Sequence, residues 1–208
     1  MLGVPVFATE QYRKGLGATV AEVAVVIPGF TPMEKLTFSS CGAPGFMEAL
    51  QTKGVKDVIL CGIEAHVCVS QTCLDLMDRQ YHVFVVADAV SSRTPENHRC
   101  GVERMRDAGA VIVSTEMILF ELLGRAGTDE FKRMLPLVKQ NRGNVTRNPS
   151  YFTSGSIRLN SSVPARSSNS NKIISVETTT APASRIRSTP QQWFSGVRED
   201  TASATTKT

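Results

Sequence analysis

Apolar residues in the middle of the chain change from a short continuous run to helical spacing. Residues 58–61 (VILC) form a β-branched run typical of a buried parallel strand, and Gly62 ends it. From Cys68 to Met77 the apolar positions recur at helical spacing. The pattern therefore predicts a strand that leads through a turn into a helix, with Cys68 near the first turn of that helix.

The same pattern extends to both sides of this unit. Further strands are predicted at residues 2–8, 82–87 and 110–113, with a short extended or loop segment at 33–41. Helices are predicted at 44–51, 95–108, 115–123 and 129–138, three of them after a Thr or Ser cap. Alternating strands and helices predict an α/β fold with a parallel sheet covered on both faces. Four strands are few for such a sheet, and one edge is missing from the pattern.

The chain changes character at residue 140. Residues 141–208 contain 23 Ser or Thr among 68 residues and follow no sustained period. They carry a net charge of +6, whereas residues 1–140 carry −2. Such a segment buries too little apolar surface to offset the entropy of ordering, so we predict a domain at 1–140 and a disordered basic tail at 141–208. Residues 173–176 and 193–194 are apolar islands in this tail, interpreted as short docking motifs or as unselected sequence.

Cysteine usage and hydropathy restrict where the protein works. Five cysteines are an odd number without a framework pattern, and no secretory signal is visible. No apolar stretch approaches the ~20 residues of a membrane span. These features predict a reduced, cytoplasmic location and no membrane span. The basic charge belongs to the tail, so it does not indicate that the folded part binds nucleic acid.

Cys68 is the first candidate for chemistry. Open α/β sheets bind ligands at the carboxyl edge of their strands, and a thiol near a helix N-terminus is shifted toward the nucleophilic thiolate. The alternative is a small buried apolar residue, as most free cysteines are. His66 lies two residues earlier, but adjacent positions on a tight turn usually diverge, so a Cys–His pair is not expected. Lys35, taken alone, is a surface lysine.

Six stretches of residues 2–140 together resemble the isochorismatase-like superfamily of cysteine hydrolases. They are most similar to the isochorismatase domain-containing proteins of eukaryotes. The stretches are LGVPVFATEQYRKGLG, EKLTFSS, VILCGIEAHVC, VVADAVSSR, ERMRDAGA and VSTEMILFELLG. The resemblance implies a three-layer α/β/α sandwich around a mostly parallel six-stranded sheet.

The resemblance also implies a catalytic Asp–Lys–Cys triad. The family nucleophile falls on Cys68 and the family lysine on Lys35. A cis peptide bond is implied between Ile63 and Glu64, which would direct the backbone N–H groups of Glu64 and Cys68 at a substrate oxyanion.

The sequence departs from the family pattern at the triad aspartate. In the family this residue ends a first strand that is followed by a crossover helix, and the chain has no counterpart to that strand, helix and aspartate. We therefore expect an N-terminally shortened member with an internal gap in its sheet. Either residues 2–8 close against 58–61, or the open strand edges pair with another chain.

The segment after the first predicted strand departs in a second way. Nicotinamidase-like members bind a metal there through an aspartate and histidines, but the corresponding stretch TEQYRKGLG has no histidine. We predict no metal and no cofactor. Within this stretch, Glu10, Gln11 and Tyr12 are expected to line the mouth of the substrate pocket.

These inferences predict a cysteine hydrolase that acts on a small amide or a related acyl or ether substrate and forms a homo-oligomer. The missing aspartate leaves open whether the chain turns substrate over. The alternatives are a non-catalytic binding or scaffold protein that keeps the fold, and an RNA-associated protein that uses the basic tail. For a longer form of the chain, a mitochondrial location also stays open.

Overall fold

A computed structural model describes residues 2–140 and 172–178 of the chain. In this part of the chain, strands of one parallel sheet occur in the order β2-β1-β6-β3-β4-β5. The strands are β1 (Val6–Gln11), β2 (Met33–Lys35), β3 (Asp57–Ile63), β4 (His82–Ser91), β5 (Val111–Val113) and β6 (Lys172–Thr178). The helices are α1 (Arg13–Leu16), α2 (Ala21–Ala24), α3 (Phe46–Thr52), α4 (Ser70–Asp78), α5 (Pro95–Asp107), α6 (Thr115–Leu123) and α7 (Asp129–Gln140).

Helices cover both faces of the sheet. Along β3, Val58 and Leu60 belong to one apolar core, whereas Ile59 between them belongs to another. This alternation follows from the two-residue period of a strand. The first core includes buried residues of α3, α4 and α5, and the second includes residues of α6. The predicted three-layer α/β/α sandwich is thereby confirmed.

Strand β1 begins and ends later than the sequence pattern predicts. The prediction ended it at Ala8, whereas Thr9, Glu10 and Gln11 continue the strand and pair with β2 at Met33–Lys35. All three polar residues are buried. Their side chains accept or donate hydrogen bonds within the protein, so the cost of burying them is offset.

Strand β6 comes from the segment that the sequence analysis assigned to the tail. It lies between β1 and β3 and is parallel to both. Ile174 of β6 is the register partner of Val6 in β1 on one side and of Ile59 in β3 on the other. The predicted gap is therefore closed by neither of the two expected routes: residues 172–178 of the same chain fill it. The prediction of a disordered tail is corrected for this segment, and the other residues of 141–208 lie outside the described residues.

The predicted helix caps are present. Thr94 Oγ1 accepts a hydrogen bond from the N–H of Asn97 at 3.2 Å, and Pro95 is the first residue of α5. Ser114 caps α6 in the same way, and Gly124 ends that helix in the left-handed region at φ 70°. These local signals gave helix bounds that agree with the structure to within a few residues.

None of the described helices combines the length and the apolar character needed to cross a membrane.

Removing β6 tests how much this strand stabilises the sheet. A chain that ends at residue 140 leaves the facing edges of β1 and β3 without backbone partners. Each buried backbone group that loses its partner costs about 1–3 kcal/mol. We expect this shortened protein to lose its cooperative thermal unfolding, measured by circular dichroism.

The matched control is a chain that ends at residue 180 and keeps β6. It should melt as the full chain does. A 1–140 protein that is monodisperse by size-exclusion chromatography and melts at the full-chain temperature would contradict this account of β6.

Candidate active site

Cys68 lies where β3 ends, on a turn that carries the chain into α4. This cysteine turn (Ala65–Val69) is a single π-helical turn, and the Glu64 carbonyl accepts the N–H groups of Val67 and Val69 at 3.1 and 3.2 Å. The peptide bond between Ile63 and Glu64 is cis, as the resemblance implied. Cys68 is buried, with 5% of its surface exposed.

Helix α5 packs directly on the backbone of the cysteine turn at Gly101. A Cβ atom at this position would lie 2.8 Å from the Cα and N atoms of His66 and 2.9 Å from the Ala65 carbonyl carbon. Such distances are shorter than van der Waals contact, so only glycine allows this approach. Gly101 thereby holds the turn that carries Cys68, a role that sequence reasoning did not assign.

Lys35 is a buried cation at the same edge of the sheet. Only 3% of its surface is exposed, which corrects the expectation of a surface lysine drawn from residue type alone. Its ammonium donates to Gln11 Oε1 at 2.8 Å and to the Phe38 carbonyl at 2.6 Å. Gln11 in turn donates from Nε2 to the Leu36 carbonyl at 2.8 Å. Strand pairing explains this contact, since Gln11 and Lys35 are register partners in β1 and β2.

Hydrogen bonds join the α4 side of the site to β1. The Ser40 N–H donates to Thr72 Oγ1 at 2.8 Å, and the Ser40 and Thr9 hydroxyls lie 2.9 Å apart. Thr72 lies in α4, four residues after Cys68. No periodic signal marks these residues in the sequence, because their partners are about thirty positions away.

The three predicted pocket residues have different surroundings. Gln11 contacts Lys35. Glu10 is buried, and its Oε1 accepts hydrogen bonds from the Thr19 N–H and hydroxyl at 2.8 and 2.6 Å. These hydrogen bonds hold the loop after β1 in place. Tyr12 has a left-handed backbone (φ 42°) and is 42% exposed. Gln11 therefore contacts Lys35, whereas Glu10 contacts the loop after β1. A pocket-lining role stays a prediction for all three residues.

His66 turns toward the end of β4. Its Nδ1 lies 3.0 Å from Ser92 Oγ and 3.5 Å from Glu64 Oε2. Arg93 Nε lies 3.7 Å from the other carboxylate oxygen of Glu64. These contacts hold the side chains of His66 and Glu64 near the end of β4, beside the cysteine turn.

Two other cysteines differ in their exposure to solvent and can be compared with Cys68. Cys73 in α4 is fully buried, and burial raises the pKa of its thiol to about 12. Cys100 in α5 is exposed. Among the residues that the structure describes, no group of three or more His, Cys, Asp or Glu residues could hold a metal ion.

Comparison with known proteins shows which family this chain and its fold belong to. A sequence model described as "Isochorismatase domain" matches residues 1–117, which is more than half of the chain. The chain belongs to the isochorismatase family. The structure is also similar to the solved MAR1 ribonuclease of Caenorhabditis elegans, with a TM-score of 0.60 and 40% sequence identity over 65% of this chain and 69% of the other.

Two curated relatives in this family match a similar part of the chain. A secreted isochorismatase effector of Phytophthora sojae is 44% identical over 146 residues, which cover 68% of this chain and 69% of the relative. Human isochorismatase domain-containing protein 2 is 40% identical over 141 residues, 67% of each chain. The predicted family membership is confirmed.

Replacing Lys35 with alanine should destabilise the protein. The Gln11 side chain and the Phe38 carbonyl would lose their donor inside the protein, at about 1–3 kcal/mol for each acceptor left unsatisfied. We expect the free energy of unfolding in urea to fall accordingly. Lys53→Ala, at an exposed position after α3, is the control and should have little effect; equal stability of both variants would contradict the buried contacts of Lys35.

Replacing Gly101 with alanine should move α5 away from the cysteine turn. Alanine favours a helix by up to ~1 kcal/mol, but forced contacts in a packed interior cost about 1–3 kcal/mol. We expect a net loss of thermal stability, whereas Arg104→Ala at an exposed position of the same helix should be nearly neutral. If Gly101→Ala is more stable than the parent, the close approach of α5 is not needed.

Proposed function

We propose that this member of the isochorismatase family is a cysteine hydrolase in which Cys68 is the nucleophile and Lys35 is the supporting cation. The observation that carries the proposal is that a buried cysteine on a strand-end turn and a buried lysine at the end of β2 lie at the same edge of a parallel sheet. Ligands of such sheets bind at this edge, outside the carboxyl ends of the strands.

The reaction that suits these residues is acyl transfer to sulfur followed by hydrolysis. The Cys68 thiol gives up its proton and its sulfur forms a bond to the acyl carbon, while the carbonyl π electrons move onto oxygen. Backbone N–H groups of Glu64 and Cys68 are proposed to stabilise this oxyanion. When the carbonyl re-forms, the bond to the leaving nitrogen breaks and that nitrogen takes a proton. Water then attacks the thioester, and the acid leaves with the thiol restored.

Burial of the thiol favours a small substrate. Cys68 exposes 5% of its surface and Lys35 exposes 3%, so little of either side chain is open to a substrate. A primary amide or a related small acyl or ether compound suits this restriction. The name of the Caenorhabditis elegans relative, a ribonuclease, is a reason to include RNA in the substrate screen.

Exposed apolar residues support the prediction of a homo-oligomer. Leu36 and Phe38, directly after the edge strand β2, are 74% and 53% exposed, and Val25 and Val26 are 78% and 72% exposed. Apolar surface of this kind is commonly covered by a partner. A second copy of the chain is the proposed partner, and it would cover the segment next to Lys35.

Reactivity of the thiols at neutral pH tests the proposed nucleophile. We expect iodoacetamide to alkylate Cys68 at least about ten-fold faster than exposed Cys100, because an activated thiol reacts as thiolate. Cys73 should stay unlabelled, since burial raises its pKa to about 12 and keeps the thiol protonated. Mass spectrometry of tryptic peptides measures all three rates in one sample.

The substitution Cys68→Ala should abolish any amide hydrolysis found in the screen, and Cys100→Ala is the matched control. If Cys68 labels no faster than Cys100, the thiol is not activated and the chain is better described as a binding protein with this fold. Hydrolysis retained by Cys68→Ala would also remove Cys68 as the nucleophile.

A further inference from the structure

The segment that follows Lys35 folds back on the lysine side chain. We call residues 36–42 the lysine loop. The carbonyls of Thr37 and Phe38 in this loop accept hydrogen bonds from the Lys35 ammonium at 3.4 and 2.6 Å. The Thr37 hydroxyl donates to the Ser39 carbonyl at 2.9 Å. These hydrogen bonds hold the loop in one conformation around the ammonium.

The lysine loop ends in a buried 3₁₀ turn, Ser40–Gly42, that packs against α4. Ser40 has no exposed surface, and its N–H donates to Thr72 Oγ1 at 2.8 Å. Thr72 has no exposed surface either. Because both groups are closed to water, neither can exchange this hydrogen bond for one to solvent while the protein stays folded. The bond therefore fixes the end of the lysine loop on α4.

Thr72 belongs to the part of α4 that continues the cysteine turn. The helix begins at Ser70, directly after that turn, and Thr72 is its third residue. The Ser70 N–H donates to the carbonyls of Ala65 and Val67 in the turn. The cysteine turn and the start of α4 are thus one hydrogen-bonded unit. A contact made by Thr72 consequently restrains the backbone that carries Cys68.

Strand β1 holds the lysine loop from the other side. The hydroxyls of Ser40 and Thr9 lie 2.9 Å apart, and Thr9 is fully buried. Two residues further along β1, Gln11 Oε1 accepts a hydrogen bond from the Lys35 ammonium at 2.8 Å. Residues two apart in a strand share a face, so β1 makes both contacts on one side of the sheet. The lysine, its loop and β1 therefore form a closed ring of contacts, and Thr72 joins this ring to α4.

We propose that Thr72 is a positioning residue of the site: its hydroxyl oxygen holds the lysine loop on α4 and thereby fixes Lys35 relative to Cys68. This inference rests on the proposed cysteine hydrolase function. A cation near a thiol favours the nucleophilic thiolate, and the effect depends on the distance between the two. The role assigned to Thr72 is indirect, since it acts through the position of Lys35.

Two substitutions separate the hydrogen bond of Thr72 from its packing. Valine has nearly the shape of threonine but no acceptor for the Ser40 N–H, whereas serine keeps the hydroxyl and lacks the methyl group. A role in positioning requires the oxygen. A role in packing alone requires the volume of the side chain.

The pH dependence of Cys68 alkylation by iodoacetamide in the full chain tests this role. In the parent, the rate should rise with pH and level off once the thiol is ionised. Thr72→Val should move the midpoint of this rise upward by about one pH unit and slow the reaction about ten-fold below the midpoint, because the cation is then less well placed. Above both midpoints the two rates should converge. Thr72→Ser should keep the parent midpoint.

A buried neighbour in the same helix provides the matched control. Cys73 is fully buried in α4, and Cys73→Ala removes packing while the hydrogen bond to Ser40 remains. This variant should lower the melting temperature and leave the midpoint of Cys68 alkylation unchanged. If Cys73→Ala shifts the midpoint as far as Thr72→Val does, the shift reports looser packing of α4 and the positioning role is overturned.

A second background determines whether Thr72 acts through Lys35. Lys35→Met removes the charge and keeps a long unbranched side chain. In this background, adding Thr72→Val should slow Cys68 by less than about two-fold, because the cation that Thr72 positions is already absent. Equal slowing in the two backgrounds would show that Thr72 acts on Cys68 by another route, and the proposal would be wrong.

A milder variant covers the case in which Thr72→Val does not melt cooperatively. Thr72→Cys replaces the hydroxyl oxygen with sulfur, which is a weaker acceptor. An upward shift of the Cys68 midpoint in this variant supports the proposal, and an unchanged midpoint overturns it.

The outcomes distinguish this proposal from the proposed function. A parent Cys68 that never reacts faster than Cys100 overturns both. A parent with an activated Cys68 and a folded Thr72→Val that keeps the parent midpoint overturns the role of Thr72 alone.

Discussion

The insertion of β6 between β1 and β3 is the constraint on which the rest of this structure depends. Parallel strands bury both faces, so an open position inside such a sheet would leave two rows of backbone groups without partners. Residues 172–178 satisfy both rows at once. Because β1 and β2 reach the rest of the sheet only through β6, the position of Lys35 relative to Cys68 depends on this strand.

Strand pairing and close backbone packing position the residues of the candidate site. Lys35 and Gln11 meet because β1 and β2 pair in register. Cys68 is held on a tight turn that α5 approaches through Gly101. Both arrangements bury polar or reactive groups, which is costly unless neighbouring groups satisfy them. The hydrogen bonds of Lys35 and Gln11 at this edge therefore contribute to the stability of the fold.

The family match and the strand pairing describe different parts of the chain. Family membership rests on a match over residues 1–117 and on relatives at 40–44% identity. That match lies entirely before β6, so it carries no information on the segment that fills the sheet. The position of β6 between β1 and β3 comes from the structure alone.

The sequence by itself determined most of the helices and strands before residue 140. The β-branched run at 58–61, the caps at Thr94 and Ser114 and the cysteine after Gly62 are local signals, and local signals define helices, strands and turns. The tertiary structure alone decided the burial of Lys35, the contact at Gly101 and the place of β6. Each of these depends on partners far apart in the chain: β6 pairs with strands more than one hundred residues earlier. A seven-residue run in a Ser- and Thr-rich segment has no local feature that specifies such partners, because pairing is decided by which backbone groups are left open elsewhere.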